Sequence, residues 1–388
     1  MKDFKFQNGA KIIFGESSLS YLKEELLKFN VKKMLILSSG DFIKDLGIYD
    51  EIINVCENLN ISYFYENKVV PNPKLELARE LINLCKKENI DFILAVGGGS
   101  SVDTAKAVAV GAKSDIDVWD FYLYKSEPTK ALPIGVISTI ASSGSETSNA
   151  SILSSDENKL GIEYDFLIPK FAILNPLYLE SVPKFQMFAG ITDISAHLLE
   201  RYFTSVKFVD TTDYMIEGML KSLFLNVERL LKDNKNRNAL SEIFFISVIA
   251  HNNLLDCGRI SDWASHRIEH ELSQEYGITH GEGMATVLPA YIRYMADKAP
   301  EKLAQLANRL FGYDYKNYSE KELALLLADK LEQIYISIGM RTKLSNFNIK
   351  DDKFTKMAIK ATKNDKMKIG HYTGLSLSEV IEVLKFAL

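Results

Sequence analysis

Apolar residues follow two different rhythms along this chain. Before about residue 180 they gather into short runs at 11–14, 33–38, 62–65, 92–96, 134–138 and 171–174, each of buried-strand length. Between these runs, at 17–29, 49–58 and 75–88, apolar residues recur at helical spacing, and Pro71 and Pro73 make a rigid turn into the last of them. Strands alternating with helices predict a mostly parallel sheet covered on both faces. Beyond about 183 the β-branched runs vanish and only the helical rhythm remains, at 212–234, 237–253, 300–310, 320–337 and 376–388. The expected architecture is therefore an α/β dinucleotide-binding domain over 1–180 followed by an all-α domain over 181–388. The Lys/Asp-rich stretch 346–371 matches neither rhythm and receives no element.

Two stretches interrupt the pattern with chemistry. The run at 92–96 passes straight into Gly97, Gly98, Gly99 and Ser100, and a helical stretch follows at 107–112. Glycines bring backbone close to a ligand, and a helix start presents unpaired N–H groups to phosphate. Asp103, in the first turn, would repel a pyrophosphate beside it and suits a ribose or carboxamide better. A second small-residue loop, Thr139 to Glu146, also follows a strand, where open α/β sheets bind ligands.

The other stretch is the histidine cluster. Of six histidines, five (His197, His251, His266, His270 and His280) fall between 197 and 280. Asp193 and His197 are four apart and share a helix face, and His266 and His270 repeat the spacing. A carboxylate with several imidazoles suits a divalent transition metal, and such a thiolate-free set does not choose between Fe2+ and Zn2+. By spacing alone, any two of His266, His270 and His280 could complete the set.

Composition narrows the class. Hydrophobic residues at 47% and charged residues at 25% are ordinary for a globular protein. A net charge of −5 argues against nucleic acid, which demands a basic face. No apolar run reaches membrane-spanning length, and residues 1–7 have no apolar signal core, so a cytoplasmic protein is expected. The three cysteines, Cys56, Cys85 and Cys257, are too scattered for a disulfide framework or a metal knuckle.

Taken in order, these residues resemble the iron-containing (group III) alcohol dehydrogenases, nearest to the butanol dehydrogenase and NADPH-dependent aldehyde reductase branch. The resemblance is carried by Gly15, Pro71 to Pro73, Gly97 to Lys106, Trp119 with Asp120, Gly144 to Glu146, Asp193 with His197, and Trp263 to His280. It implies the architecture shared with dehydroquinate synthase-like proteins, an α/β dinucleotide-binding domain and then a helical one. It further implies a metal on Asp193, His197, His266 and His280, with His270 left near the substrate as proton donor. Cofactor contacts are implied at Asn72, Gly97, Gly98, Gly99, Ser100, Asp103, Thr139, Ser143, Asn149, Lys159 and Leu179. Two positions depart from the family's habit, Ile194 after the first ligand and Asn175 before Pro176. Where NAD-using relatives carry Asp, this chain has Gly40. Ser39 and Lys44 could accept a 2′-phosphate while Asp41 argues the other way, so NADP(H) is expected over NAD(H). The implied activity is reduction of small aldehydes and oxidation of small primary alcohols, by a homodimer. The competing classes are a dehydroquinate synthase-like lyase, which should need a more basic metal cleft, a metallohydrolase, which would leave the glycine turn without a role, and a non-catalytic binding protein, which the intact ligand set disfavours.

Overall fold

The computed structural model describes all 388 residues. Eight strands occur, β1 (Lys11–Phe14), β2 (Lys33–Ser38), β3 (Ser62–Glu66), β4 (Phe92–Gly97), β5 (Ile134–Ser138), β6 (Ala150–Ser154), β7 (Lys159–Glu163) and β8 (Phe171–Leu174). The helices among them are α1 (Leu22–Lys28), α2 (Phe42–Asp45), α3 (Ile48–Leu59), α4 (Leu75–Glu88), α5 (Gly99–Gly111) and α6 (Val118–Tyr122). The rest of the chain is helical, with α7 (Lys184–Tyr202), α8 (Asp210–Lys232), α9 (Arg237–Ala250), α10 (Ala264–Tyr276), α11 (His280–Lys298), α12 (Glu301–Phe311), α13 (Glu320–Ser337), α14 (Phe354–Ala361) and α15 (Leu377–Phe386).

Two compact units result. The α/β unit comprises Gln7–Val182 and also Ser247–Asn252. The helical unit comprises Met1–Phe6, Pro183–Ile246 and Asn253–Leu388.

In the α/β unit six strands pair in the order β1-β8-β5-β4-β2-β3, every neighbour parallel. Successive strand residues face opposite sides. Leu35, Leu37, Ile93, Ala95, Ile134 and Val136 pack into one buried cluster with residues of α4 and α5. Met34, Ile36, Phe92, Leu94, Val96 and Ile137 pack into another with residues of α1 and α3. Burial on both faces is why these strands read as continuous apolar runs. Each of these side chains larger than alanine contributes about 1.5–3 kcal/mol on burial. The chain goes outward from β2 to β3, then returns to the other side of β2 with β4. The strand order thus reverses between β2 and β4, and ligands of open α/β sheets bind at such a point.

β6 and β7 form a separate antiparallel hairpin, which the strand rhythm did not reveal. Its turn, Ser155 to Asn158, has only polar residues and no glycine. The segment 247–252 is stitched to this unit by short contacts. Thr147 Oγ1 donates to Val248 O at 3.1 Å, and Asn8 Nδ2 donates to Asn252 O at 3.0 Å and to Thr147 O at 2.8 Å. Gly144 (φ +63) lies so close that a Cβ there would sit 2.7 Å from Ser247 O.

In the helical unit α7 is buried continuously from Met187 to Tyr202. A helix buried all round is a core element rather than a surface one. Capping boxes fix the starts of α13 and α15, where Ser319 pairs with Glu322 and Ser376 with Glu379. The stretch left unassigned at 346–371 contains the short α14, two 3₁₀ turns and irregular backbone.

Candidate active site

The glycine turn lies at the carboxyl end of β4, beside the reversal of strand order. Gly97 has φ +143, a conformation closed to other residues. A Cβ at Gly98 would stand 2.5 Å from Ile140 Cγ2, and one at Gly99 would collide with Ser143 Oγ. The first amides of α5 are orphaned by helix geometry, and its N-terminus carries the positive end of the dipole. Helix begins at Gly99, eight positions before the expected 107, so Asp103 lies past the first turn in which it was expected, and that turn holds no acidic residue. Glycine's low propensity hid this turn, which is held instead by Ser101 and Val102 amides donating to Gly98 O.

The same sheet end gathers most of the predicted cofactor residues. Ser39 and Gly40 follow β2, and the Gly97 Cβ position is 3.7 Å from Ser39 Oγ. Thr139 follows β5 and donates its amide to Gly97 O at 3.2 Å. Ser143 borders Gly99, and Leu179 lies buried in the turn after β8. Asn72 occupies a left-handed turn (φ +57), and the adjacent Pro73 O accepts from Ser154 N of β6. Asn149 Nδ2 is 3.3 Å from Asp165 Oδ1, and Lys159 opens β7.

Beneath this turn lies a group that sequence reasoning quoted without giving it a task. Lys106, fully buried, donates to Ser145 O, Ser145 Oγ, Ser148 O and Ala150 O at 2.7–2.9 Å. Burial pulls its ammonium down to about 8, against the pull of Asp103 and Glu146, so it stays largely charged at neutral pH. Ser145 Oγ donates to Asp103 Oδ1 at 2.6 Å. Desolvation raises the Asp103 carboxyl, with Lys106 and Ser145 opposing. Glu146 is pushed up to about 7 by burial, and its Oε1 has no hydrogen-bond partner.

In the helical unit three helices bring their polar residues to one point. On α7, His197 Nε2 lies 3.5 Å from Asp193 Oδ1. His266 Nε2 on α10 lies 3.9 Å and His280 Nε2 on α11 3.3 Å from that same oxygen. The His197 and His266 rings stack at 4.9 Å and 10°. Gly281 makes the approach possible, since a Cβ there would run into the Ala189 backbone of α7. Asp193, His197 and His266 are almost fully buried, and His280 is 27% exposed, which makes it the open side.

Burial alone would raise Asp193, but His197 and His280 outweigh it and hold the carboxyl well below its usual range. Burial drives His197 well down despite Asp193. Against their own desolvation, His266 is lifted by Asp193 and Glu200, and His280 by Glu269 and Asp193, to about 9. His266 Nε2 is buried without a hydrogen-bond partner. Three imidazole nitrogens and one carboxylate oxygen form a donor set that fits Zn2+ or Fe2+. His270 falls outside this set. It groups with Glu269 and His280, and its ring centroid is 5.6 Å from that of His280. Ile194 is fully buried.

Two residues here escaped the sequence reading. Glu200 on α7 approaches His266 Nδ1 at 3.2 Å, and Glu269 on α10 meets His280 Nδ1. Each stands three residues after a histidine, His197 and His266, so a repeated His-x-x-Glu was the available signal.

Comparison with known proteins identifies the family. Residues 9–176 match the model of the iron-containing alcohol dehydrogenases, and residues 187–388 match that of the family's C-terminal region. The chain is 34% identical over 390 residues, the whole of both chains, to a probable NADH-dependent butanol dehydrogenase 1 of Bacillus subtilis. It is 27% identical over 90% of both chains to an NADPH-dependent aldehyde reductase of Escherichia coli. The crystal structure of an NADH-dependent butanol dehydrogenase A from Thermotoga maritima superposes with a TM-score of 0.94 at 31% identity. That match covers 100% of this chain and 99% of the other. The NADP(H) expectation gains no support from relatives described as NADH-dependent. No helix is long and apolar enough to cross a membrane.

Proposed function

Because the chain belongs to the iron-containing alcohol dehydrogenase family and is an NAD(P)H-linked alcohol dehydrogenase, we propose that it interconverts small primary alcohols and aldehydes of about butanol's size. The observation that carries the reading is the convergence of His197, His266 and His280 on Asp193 Oδ1. These four residues hold one divalent metal, Fe2+ or Zn2+, which as a Lewis acid polarises the substrate oxygen when bound. The nicotinamide supplies or takes the hydride. The turn Gly97 to Ser100 receives the pyrophosphate on the α5 N-terminus, and Asp103 accepts from a polar head of the cofactor. Asn72, Thr139, Ser143, Asn149, Lys159 and Leu179 line the remainder of its path. His270 moves the proton at an imidazole nitrogen.

For the coenzyme we propose NAD(H), reversing the lean toward NADP(H). Lys44 is engaged by Asp41 Oδ1 at 2.9 Å, which occupies the cation that could meet a 2′-phosphate. Several relatives described as NADH-dependent agree. A homodimer in the cytoplasm completes the proposal. The exposed Ile12 and Phe14 on the edge strand β1 suit a subunit contact, and three cysteines outside any disulfide suit a reducing compartment.

The test is a panel of aldehydes and alcohols assayed with NADH and NADPH, on protein of measured metal content, beside His266→Ala. Butanal reduction preferring NADH, with metal and turnover both lost in His266→Ala, is the expected result. Wild-type turnover in metal-free His266→Ala would sink the metal assignment, and preference for NADPH would sink the coenzyme assignment.

A further inference from the structure

We infer that Glu200 and Glu269 are positioning residues that set the tautomers of the Asp193 cluster, each helix carrying the support for the next helix's imidazole. The inference rests on the metal reading above and extends it to groups that touch no metal. Glu200, on α7 one turn after His197, sends its carboxylate to α10. Glu269, on α10 one turn after His266, sends its carboxylate to His280 at the start of α11.

The tautomers follow from counting acceptor sites. Glu200 Oε2 accepts from Trp263 N at 2.7 Å. Its Oε1 accepts from His266 N at 2.9 Å and from Ser265 Oγ, and lies 3.2 Å from His266 Nδ1. A carboxylate offers about four lone-pair sites, and four groups stand around this one. Backbone N–H groups can only donate, so both oxygens are fixed as acceptors. His266 Nδ1 must then carry a proton, and Nε2, which faces Asp193, is the nitrogen left to ligate when a metal is bound. Glu269 stands in the same relation to His280, its Oε2 against His280 Nδ1 and its Oε1 against Ser273 Oγ, which also lies 3.1 Å from Ile278 O. Gly283 leaves room for it, since a Cβ there would lie 2.5 Å from Glu269 Oε1. Both carboxylates are fully buried, so water does not replace them.

Glu200 has a second task that a test must separate. Trp263 holds a left-handed backbone (φ +66) at the N-cap of α10, and the Glu200 carboxylate anchors that strained residue and the helix start. Glu269 meets a side chain, His280 Nδ1, at the start of α11. The experiment measures Zn2+ and Co2+ dissociation constants by chelator competition, and the Co2+ absorption spectrum, for wild type, Glu200→Gln, Glu269→Gln and Gly283→Ala. The melting temperature of each metal-free protein is recorded alongside. Loss of such outer partners weakens metal binding by about 10- to 100-fold. We expect that loss in both glutamine variants with altered Co2+ bands, a smaller loss in Gly283→Ala, and a lower metal-free melting temperature chiefly in Glu200→Gln. Wild-type constants and spectra in Glu269→Gln, or in a folded Glu200→Gln, would overturn the positioning role and leave the metal site standing. Should Glu200→Gln fail to fold, Glu269→Gln decides. Absence of stoichiometric metal in the wild type would overturn the metal reading itself.

Discussion

The Lys106 nest and the Asp193 cluster are answers to one problem, placing positive charge inside a protein. In the nest, three backbone carbonyls and a hydroxyl surround an ammonium at 2.7–2.9 Å, and the chain supplies the cation itself. In the cluster, three imidazole nitrogens stand 3.3–3.9 Å from one carboxylate oxygen. The first is a finished structure. The second keeps His266 Nε2 buried without a hydrogen-bond partner and is the site proposed above for a metal. Backbone carbonyls make the nest a matter of folding, whereas side chains from three helices make the cluster a matter of binding.

The comparison can be broken most sharply at Lys106. Lys106→Met should destabilise the α/β unit by about 3–5 kcal/mol, because it strands buried acceptors and the Asp103 carboxylate. A urea midpoint equal to that of wild type would show that the nest is not filled by necessity. Metal removal sharpens the other side. At free metal a hundredfold above Kd, binding stabilises the folded chain by about 2.7 kcal/mol. A chelator should lower the wild-type melting temperature and leave His266→Ala unmoved, and an equal drop in both would separate the cluster from metal binding.

The smallest effect is one of pH. The Glu146 carboxyl is lifted from 4.5 to about 7 by burial. Below 4.5 it is neutral in folded and unfolded chains alike. Between 4.5 and 7 only the unfolded chain ionises, so the folded state loses stability as pH rises. Glu146→Gln removes that loss, and its advantage over wild type should grow by about 2 kcal/mol between pH 5 and pH 8. An advantage independent of pH would mean that the carboxyl is already compensated.

The strands were legible because burial on both faces leaves an unbroken apolar run, as in residues 92–96. The pairing of Asp193 with His197 was legible because helical spacing places both on one face. The first turn of α5 was not, since Gly99 and Ser100 are helical only where the strand before them fixes the entry. Nor was the β6–β7 hairpin, whose polar turn carries none of the usual glycine signals. Choosing among His266, His270 and His280 needed either the resemblance or the coordinates, because α10 and α11 meet across a turn whose angle spacing does not encode. Glu200 and Glu269 were visible as letters, but their partners lie on other helices.

The six residues 247–252 give the α/β unit an unusual timetable. Residue 182 ends the sheet-bearing segment, yet Thr147 and Asn8 each have a partner that lies beyond it, at Val248 and Asn252. At about 5–20 residues per second, a ribosome needs some seconds more to deliver them. For that interval the nascent unit carries an unsealed seam beside Gly144. A polypeptide stopped at residue 182 would keep that seam for good, which makes the first 182 residues a poor choice for studying cofactor binding in isolation.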